Sequence, residues 1–230
     1  MFINGFDILW DEIDDYVADI KSIRSIDQFM FTKPVTFFCG ENGKSTLLEA
    51  LAIKNGLNPE GGTRNYNFST YDSYSNLHKH MRLWRSRKPD WMYFLRAESF
   101  YNVATKEMEY SGVFSERYHD QSHGQSFFSV LMKQTNKNGL YLLDEPEAAL
   151  SCQNQLALLY LIQSCVKQNC QFIIATHSPI LLGFPNAQIL SFDEDKVEEV
   201  DYKSTSSYQT MKLFLDRYDY FVEDIKENEI

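Results

Sequence analysis

The apolar run Val35-Thr36-Phe37-Phe38-Cys39 stops at Gly40, and by Lys44 the pattern has become helical, with Leu47, Leu48, Leu51 and Ala52 on one face of positions 44–54. A strand that is apolar at nearly every position needs cover on both faces, the situation of a parallel sheet with helices on either side. Comparable runs recur at 91–96 (WMYFLR), 139–143 (GLYLL), 171–176 (QFIIAT) and 188–192 (QILSF). Helical patterns over 127–133, 153–167 and 208–225 lie among and after them, while 55–62 (NGLNPEGG) and the polar stretch 65–75 read as loop. Phe2 to Trp10 reads as a further strand, and 197–200 as a hairpin partner of the run before it. The expectation is an α/β fold: a mostly parallel sheet flanked by helices, with an antiparallel N-terminal edge, and residues 1–230 forming one domain.

Composition narrows the setting. With 43% hydrophobic residues in 230, the chain can bury a large core, which excludes disorder as its main description. Its formal charge of −10 repels a nucleic-acid backbone on average, so any such contact has to be local. The four cysteines (Cys39, Cys152, Cys165, Cys170) show neither a CxxC pair nor zinc spacing, which points to a reducing, cytoplasmic compartment. Acidic residues interrupt the N-terminal segment, and no apolar stretch approaches the ~18 residues of a membrane span.

The strand-to-helix junction carries Gly40-Glu41-Asn42-Gly43-Lys44-Ser45-Thr46. A glycine-rich turn at a helix N-terminus offers backbone N–H groups to phosphate; a lysine there neutralises the terminal phosphates and a serine hydroxyl can ligate Mg²⁺. The usual spacing is G-x-x-x-x-G-K-[ST], and six positions before Lys44 stands Phe38, so this loop is two residues short. Either the loop is truncated or two residues are missing between Gly43 and Lys44. At the end of the run 140–143 stand Asp144 and Glu145, where a buried strand delivers carboxylates to the carboxyl edge of a parallel sheet. Asp144 suits the Mg²⁺ shell and Glu145 suits activation of water. Upstream, Ser122-His123-Gly124-Gln125 precedes a helical run and offers either a helix cap or a second phosphate contact. His177, just past QFIIAT, could reach a γ-phosphate or the attacking water.

In this order the motifs resemble the ABC-type P-loop ATPases. GENGKSTLLEA looks like the Walker A region, QSHGQ like the signature motif, LYLLDEPEAALS like Walker B with the D-loop, and ATHSP like the switch histidine. The resemblance runs from Val35 to about Pro185 and is nearest to the small soluble, AAA-type members of that family. It implies ATP and Mg²⁺ as ligands: Gly40 to Thr46 as the nucleotide loop, Ser45 and Asp144 for the metal, and Glu145 and His177 as catalytic groups. It further implies an ATP-dependent head-to-tail homodimer in which Ser122 to Gln125 act across the interface. No glutamine follows WMYFL, where the family has its Q-loop; Arg96-Ala97-Glu98 stand there instead. Between Arg96 and Gln121 lie too few residues for a coiled coil or a transporter-type helical subdomain.

The function expected is therefore Mg-dependent ATP hydrolysis. Two alternatives stand beside it: a nucleotide-gated interaction module with little turnover, owing to the short loop, and the ATP subunit of a transporter. The basic stretch 79–88 (KHMRLWRSRK) admits nucleic acid as a partner without favouring it, since Met81 and Leu83 inward with Arg82 and Arg85 outward also describe a charged edge strand. A membrane partner is not expected.

Overall fold

A computed structural model describes residues 1–10, 13–62, 74–97, 135 and 138–227. Among the described residues the strands are β1 (Ile3–Ile8), β2 (Gln28–Met30), β3 (Val35–Cys39), β4 (Met81–Arg85), β5 (Trp91–Arg96), β6 (Gly139–Asp144), β7 (Gln171–Ala175), β8 (Gln188–Ser191) and β9 (Glu198–Glu199). The described helices are α1 (Lys21–Arg24), α2 (Lys44–Lys54), α3 (Leu77–His80), α4 (Cys152–Val166), α5 (Pro179–Leu182), α6 (Ser206–Asp216) and α7 (Tyr218–Glu227).

The main sheet has the order β5-β6-β7-β3-β8-β9 and is parallel except for the β8–β9 hairpin. Strand alternation sends its side chains into two cores. Phe38, Leu140, Leu142 and Ile173 join Leu47, Leu48 and Leu51 of α2 on one face. Phe37, Tyr141, Leu143 and Ile174 join Leu158 and Ile162 of α4 on the other. The apolar-throughout strands thus have the two-sided cover their sequence requires.

The antiparallel N-terminal strands form a sheet of their own, in the order β2-β1-β4, rather than an edge of the main one. Two buried glutamines stitch the sheets together. Gln171 Oε1 accepts from the N–H groups of Phe2 (2.7 Å) and Ile3 (3.0 Å), and its Nε2 donates to Ile3 O (2.8 Å). Gln188 Oε1 accepts from Thr32 N at 3.0 Å while its Nε2 donates to Glu199 Oε2 at 2.9 Å.

Strand β4 is an edge strand, as its alternation predicts, with Met81 buried and Arg82 and Arg85 exposed; Arg85 also has partners on α2. Its guanidinium donates to Lys54 O and Asn55 Oδ1, both at 3.1 Å, and so caps the carboxyl end of α2. The helix expected over 208–225 is two helices, broken at Arg217 (φ −127°, ψ 33°). The expected helix at 127–133 lies outside the described residues.

Candidate functional site

The loop after β3 is bent by two glycines in the left-handed region, Gly40 (φ 102°) and Gly43 (φ 98°). Both also lack room. A Cβ on Gly40 would stand 2.6 Å from Asp193 N, and one on Gly43 would stand 2.8 Å from Ile23 Cγ1. Ser22 Oγ donates to Asn42 O at 2.8 Å, so the segment before β2 fastens the loop from outside. The chain runs without a break from Gly43 into α2, whose first regular bond is Leu47 N to Gly43 O at 3.0 Å.

Lys44 opens that helix and is buried. Its ammonium donates back to Gly40 O and lies 2.9 Å from His177 Nε2. Ser45 Oγ donates to Asp144 Oδ1 at 2.8 Å. Thr46 shares a side-chain hydrogen bond with Tyr16, whose phenol burial holds above its ordinary pKa. Glu41 is exposed and, with His177, borders an open cavity of about 550 Å³ that α6 and α7 line with Met211, Phe214 and Phe221.

Asp144 is 5% exposed at the end of β6, level with Ala175 on β7 and Arg96 on β5. Glu145 follows in the left-handed region (φ 49°, ψ 50°), a conformation a non-glycine residue holds only where its surroundings enforce it. Its N–H donates to Ala175 O at 2.9 Å, and its half-exposed carboxylate lies 3.8 Å from His177 Nε2. The His177 backbone N–H donates to Glu147 Oε1 at 2.6 Å. Ser178 caps α5 and donates to the buried Gln155 Oε1 at 2.6 Å, tying the histidine loop to α4.

Gly40 to Thr46, Asp144, Glu145 and His177 therefore meet at one carboxyl edge, as their motifs predict. Ser122, His123, Gly124 and Gln125 lie outside the described residues, as does Glu98. Sequence reasoning missed the ion pairs of Arg96: its Nη1 lies 2.5 Å from Glu49 Oε2 and its Nε lies 3.5 Å from Asp144 Oδ2. The available signal was a charged residue closing an apolar strand. Burial raises the Glu49 pKa, and Arg96 opposes that rise. Burial likewise pushes the Cys39 thiol, just before the loop, up to about 12.

A serine hydroxyl and an acidic carboxylate sharing one hydrogen bond beside a glycine loop form a hard-oxygen pair that fits Mg²⁺, so Ser45 and Asp144 are the residues that would hold it. Among the described residues no cluster of three or more His, Cys, Asp or Glu could hold a metal by itself.

Residues 123–182, which span Asp144 to His177, match the family of AAA ATPase domains. Over that segment the chain is similar to ATPases of this kind. It is 29% identical over 93 residues to an uncharacterized ABC transporter ATP-binding protein of Haemophilus influenzae, a match covering 40% of this chain. That match spans 35% of the relative, about a third of its length. Among solved structures, a chain of a metal-chelate type ABC transporter in an inward-facing conformation is similar at 19% identity and a TM-score of 0.43, with 80% of each chain covered. Another is cbiO1 of Clostridium perfringens, part of the ABC transporter complex cbiONQ, at 17% identity and a TM-score of 0.44, with 97% of this chain and all 100% of that one covered. No described helix is long and apolar enough to cross a membrane.

Proposed function

We propose that this chain is a P-loop ATPase of the ABC type, which binds ATP with Mg²⁺ at this strand-end cluster, hydrolyses it to ADP and phosphate, and acts as a head-to-tail homodimer. What supports the reading is one convergence: Lys44 beside His177, and Ser45 bonded to Asp144, with Glu145 next in the chain. Lys44 exchanges Gly40 O for the β- and γ-phosphates. Ser45 and Asp144 hold the cation, which when bound neutralises phosphate charge. Glu145 accepts a proton from the attacking water, and His177 donates to a γ-phosphate oxygen. Ser122 to Gln125 of a second copy supply donors to the same γ-phosphate.

A second reading keeps nucleotide binding and dimerisation but little turnover. It is favoured by the short loop and by the Lys44 ammonium being engaged on the loop's own carbonyl. The transporter reading draws on the name of the Haemophilus relative, whose length this chain spans by about a third.

Calorimetric titration with ATP and Mg²⁺, sedimentation with and without nucleotide, and single-turnover phosphate release separate these readings. Binding, ATP-dependent dimers and phosphate release together support the first. Binding and dimers without release support the second. Absence of nucleotide binding overturns both.

A further inference from the structure

The Arg96 guanidinium lies between two carboxylates on different elements. Glu49 stands in the second turn of α2 and Asp144 at the end of β6, and their side chains are only 12% and 6% exposed. Strand register brings the three together: Arg96 pairs with Asp144 across β5 and β6, and Ala97 N donates to Asp144 O at 3.2 Å. The two oxygens of Asp144 are thereby divided. Oδ1 accepts from Ser45 and Oδ2 faces Arg96.

We propose that Arg96 is a positioning residue that sets the metal requirement of this site, by holding Asp144 in place and offsetting the charge with which it attracts a divalent cation, while Glu49 tempers that offset. The inference rests on the ATP-site reading above. The sign follows from charge alone. A fixed cation next to the metal-binding carboxylate weakens its pull on a second cation, and a buried acid paired with that fixed cation restores part of the pull. Removing Arg96 therefore strengthens the coupling between metal and nucleotide. Removing the Glu49 charge weakens it, because both its own field and its damping of Arg96 are lost. A pair that served only to fasten α2 to β5 would give the same direction whichever partner was removed.

The quantity to measure is the coupling factor, the ratio of affinities for a fluorescent ATP analogue in saturating Mg²⁺ and in EDTA. It is measured on the full chain as wild type, Arg96→Gln, Arg96→Lys, Glu49→Gln and the Arg96→Gln/Glu49→Gln double variant. The double variant removes both ends of the Arg96–Glu49 pair, so that neither is left buried without the other, and it remains informative where a single variant folds poorly. Arg96→Gln is expected to raise the factor roughly 3- to 30-fold, the range for one charge a few ångströms away in a partly screened site. Glu49→Gln should lower it several-fold, Arg96→Lys should stay near wild type, and the double variant should lie above wild type because Arg96 is the nearer charge. Single variants that shift the factor in the same direction, a double variant at or below wild type, or equal wild-type affinity in Mg²⁺ and EDTA each overturn the inference while leaving nucleotide binding intact. Wild-type protein that binds no nucleotide in either condition overturns the ATP-site reading itself.

Discussion

Ser45 Oγ and Asp144 Oδ1 stand 2.8 Å apart although 99 positions separate them in the chain and β7 lies between their strands. The bond exists because α2 starts over the carboxyl edge at which β6 ends. A cation entering there would replace the shared proton contact with two oxygen ligands. Ser45→Ala should therefore leave nucleotide affinity in EDTA within about twofold and remove most of the gain from Mg²⁺, roughly 10-fold or more for one lost hard ligand. Affinity in both conditions, measured by calorimetry, checks this; an equal loss in both would assign Ser45 to phosphate and not to metal.

Glu145 is held in a left-handed backbone conformation with its carboxylate 3.8 Å from His177 Nε2. Glutamine preserves the shape and removes the carboxylate that the proposed mechanism uses as its base. Glu145→Gln should bind ATP normally, release phosphate about 10²- to 10⁴-fold more slowly, and accumulate an ATP-dependent dimer. A monomer at saturating ATP in sedimentation would count against the two-copy mechanism.

What could be read in the sequence followed from patterns the physics makes local. Strands β3, β5, β6 and β7 are apolar at almost every position, so their existence and their two-sided cover were legible, and α2 begins and ends where its periodicity says. The loop, Asp144, Glu145 and His177 were legible because each follows directly on such a strand. Contacts set by register were not. Nothing in the spacing of Glu49, Arg96 and Asp144 foretells that they share charge, and nothing near Ser22 announces that it fastens Asn42. The three residues of β2 carry too little pattern to be seen, and the fastening of the antiparallel sheet to the main one depends on glutamines whose partners across the two sheets lie more than 150 positions away.

Gln171 tests that last point. The residue is 1% exposed, and its side chain satisfies two N–H groups and one carbonyl at the N-terminal end of β1. Gln171→Leu keeps the volume and strands those groups, so it should lower unfolding free energy by about 2–4 kcal/mol, more than an ordinary core swap. Urea unfolding reports this, and a change below about 1 kcal/mol would mean that water takes over the contacts.

The four cysteines differ in exposure: Cys152 is exposed, and Cys39, Cys165 and Cys170 are buried. With Cys39 pushed up to about 12 by burial, its thiolate is scarce at pH 8. Native protein should thus react rapidly at one thiol with an aromatic disulfide reagent, and denatured protein at all four. Cys152→Ser should abolish the fast phase; a fast phase that survives would mean that the β3 or α4 packing opens readily.

In the proposed reading, turnover depends on the short loop. A full-length glycine loop wraps the β-phosphate with successive backbone N–H groups. Here Lys44 follows Gly43 directly, Gly40 is pinned against Asp193, and the lysine ammonium turns back onto Gly40 O. Each phosphate contact must therefore compete with one made inside the loop, and fewer N–H groups are available to compensate. Inserting Ser-Gly between Gly43 and Lys44 restores the G-x-x-x-x-G-K-S spacing and lengthens the path from Gly40, so that the ammonium no longer has to meet that carbonyl. ATP affinity of the lengthened protein should rise roughly 10-fold or more, since one or two charge-assisted hydrogen bonds are each worth about 1.5–3 kcal/mol. Phosphate release should rise with it. Equal calorimetric affinities for the two proteins would show that the natural loop already presents its donors fully and that its shortness carries no penalty.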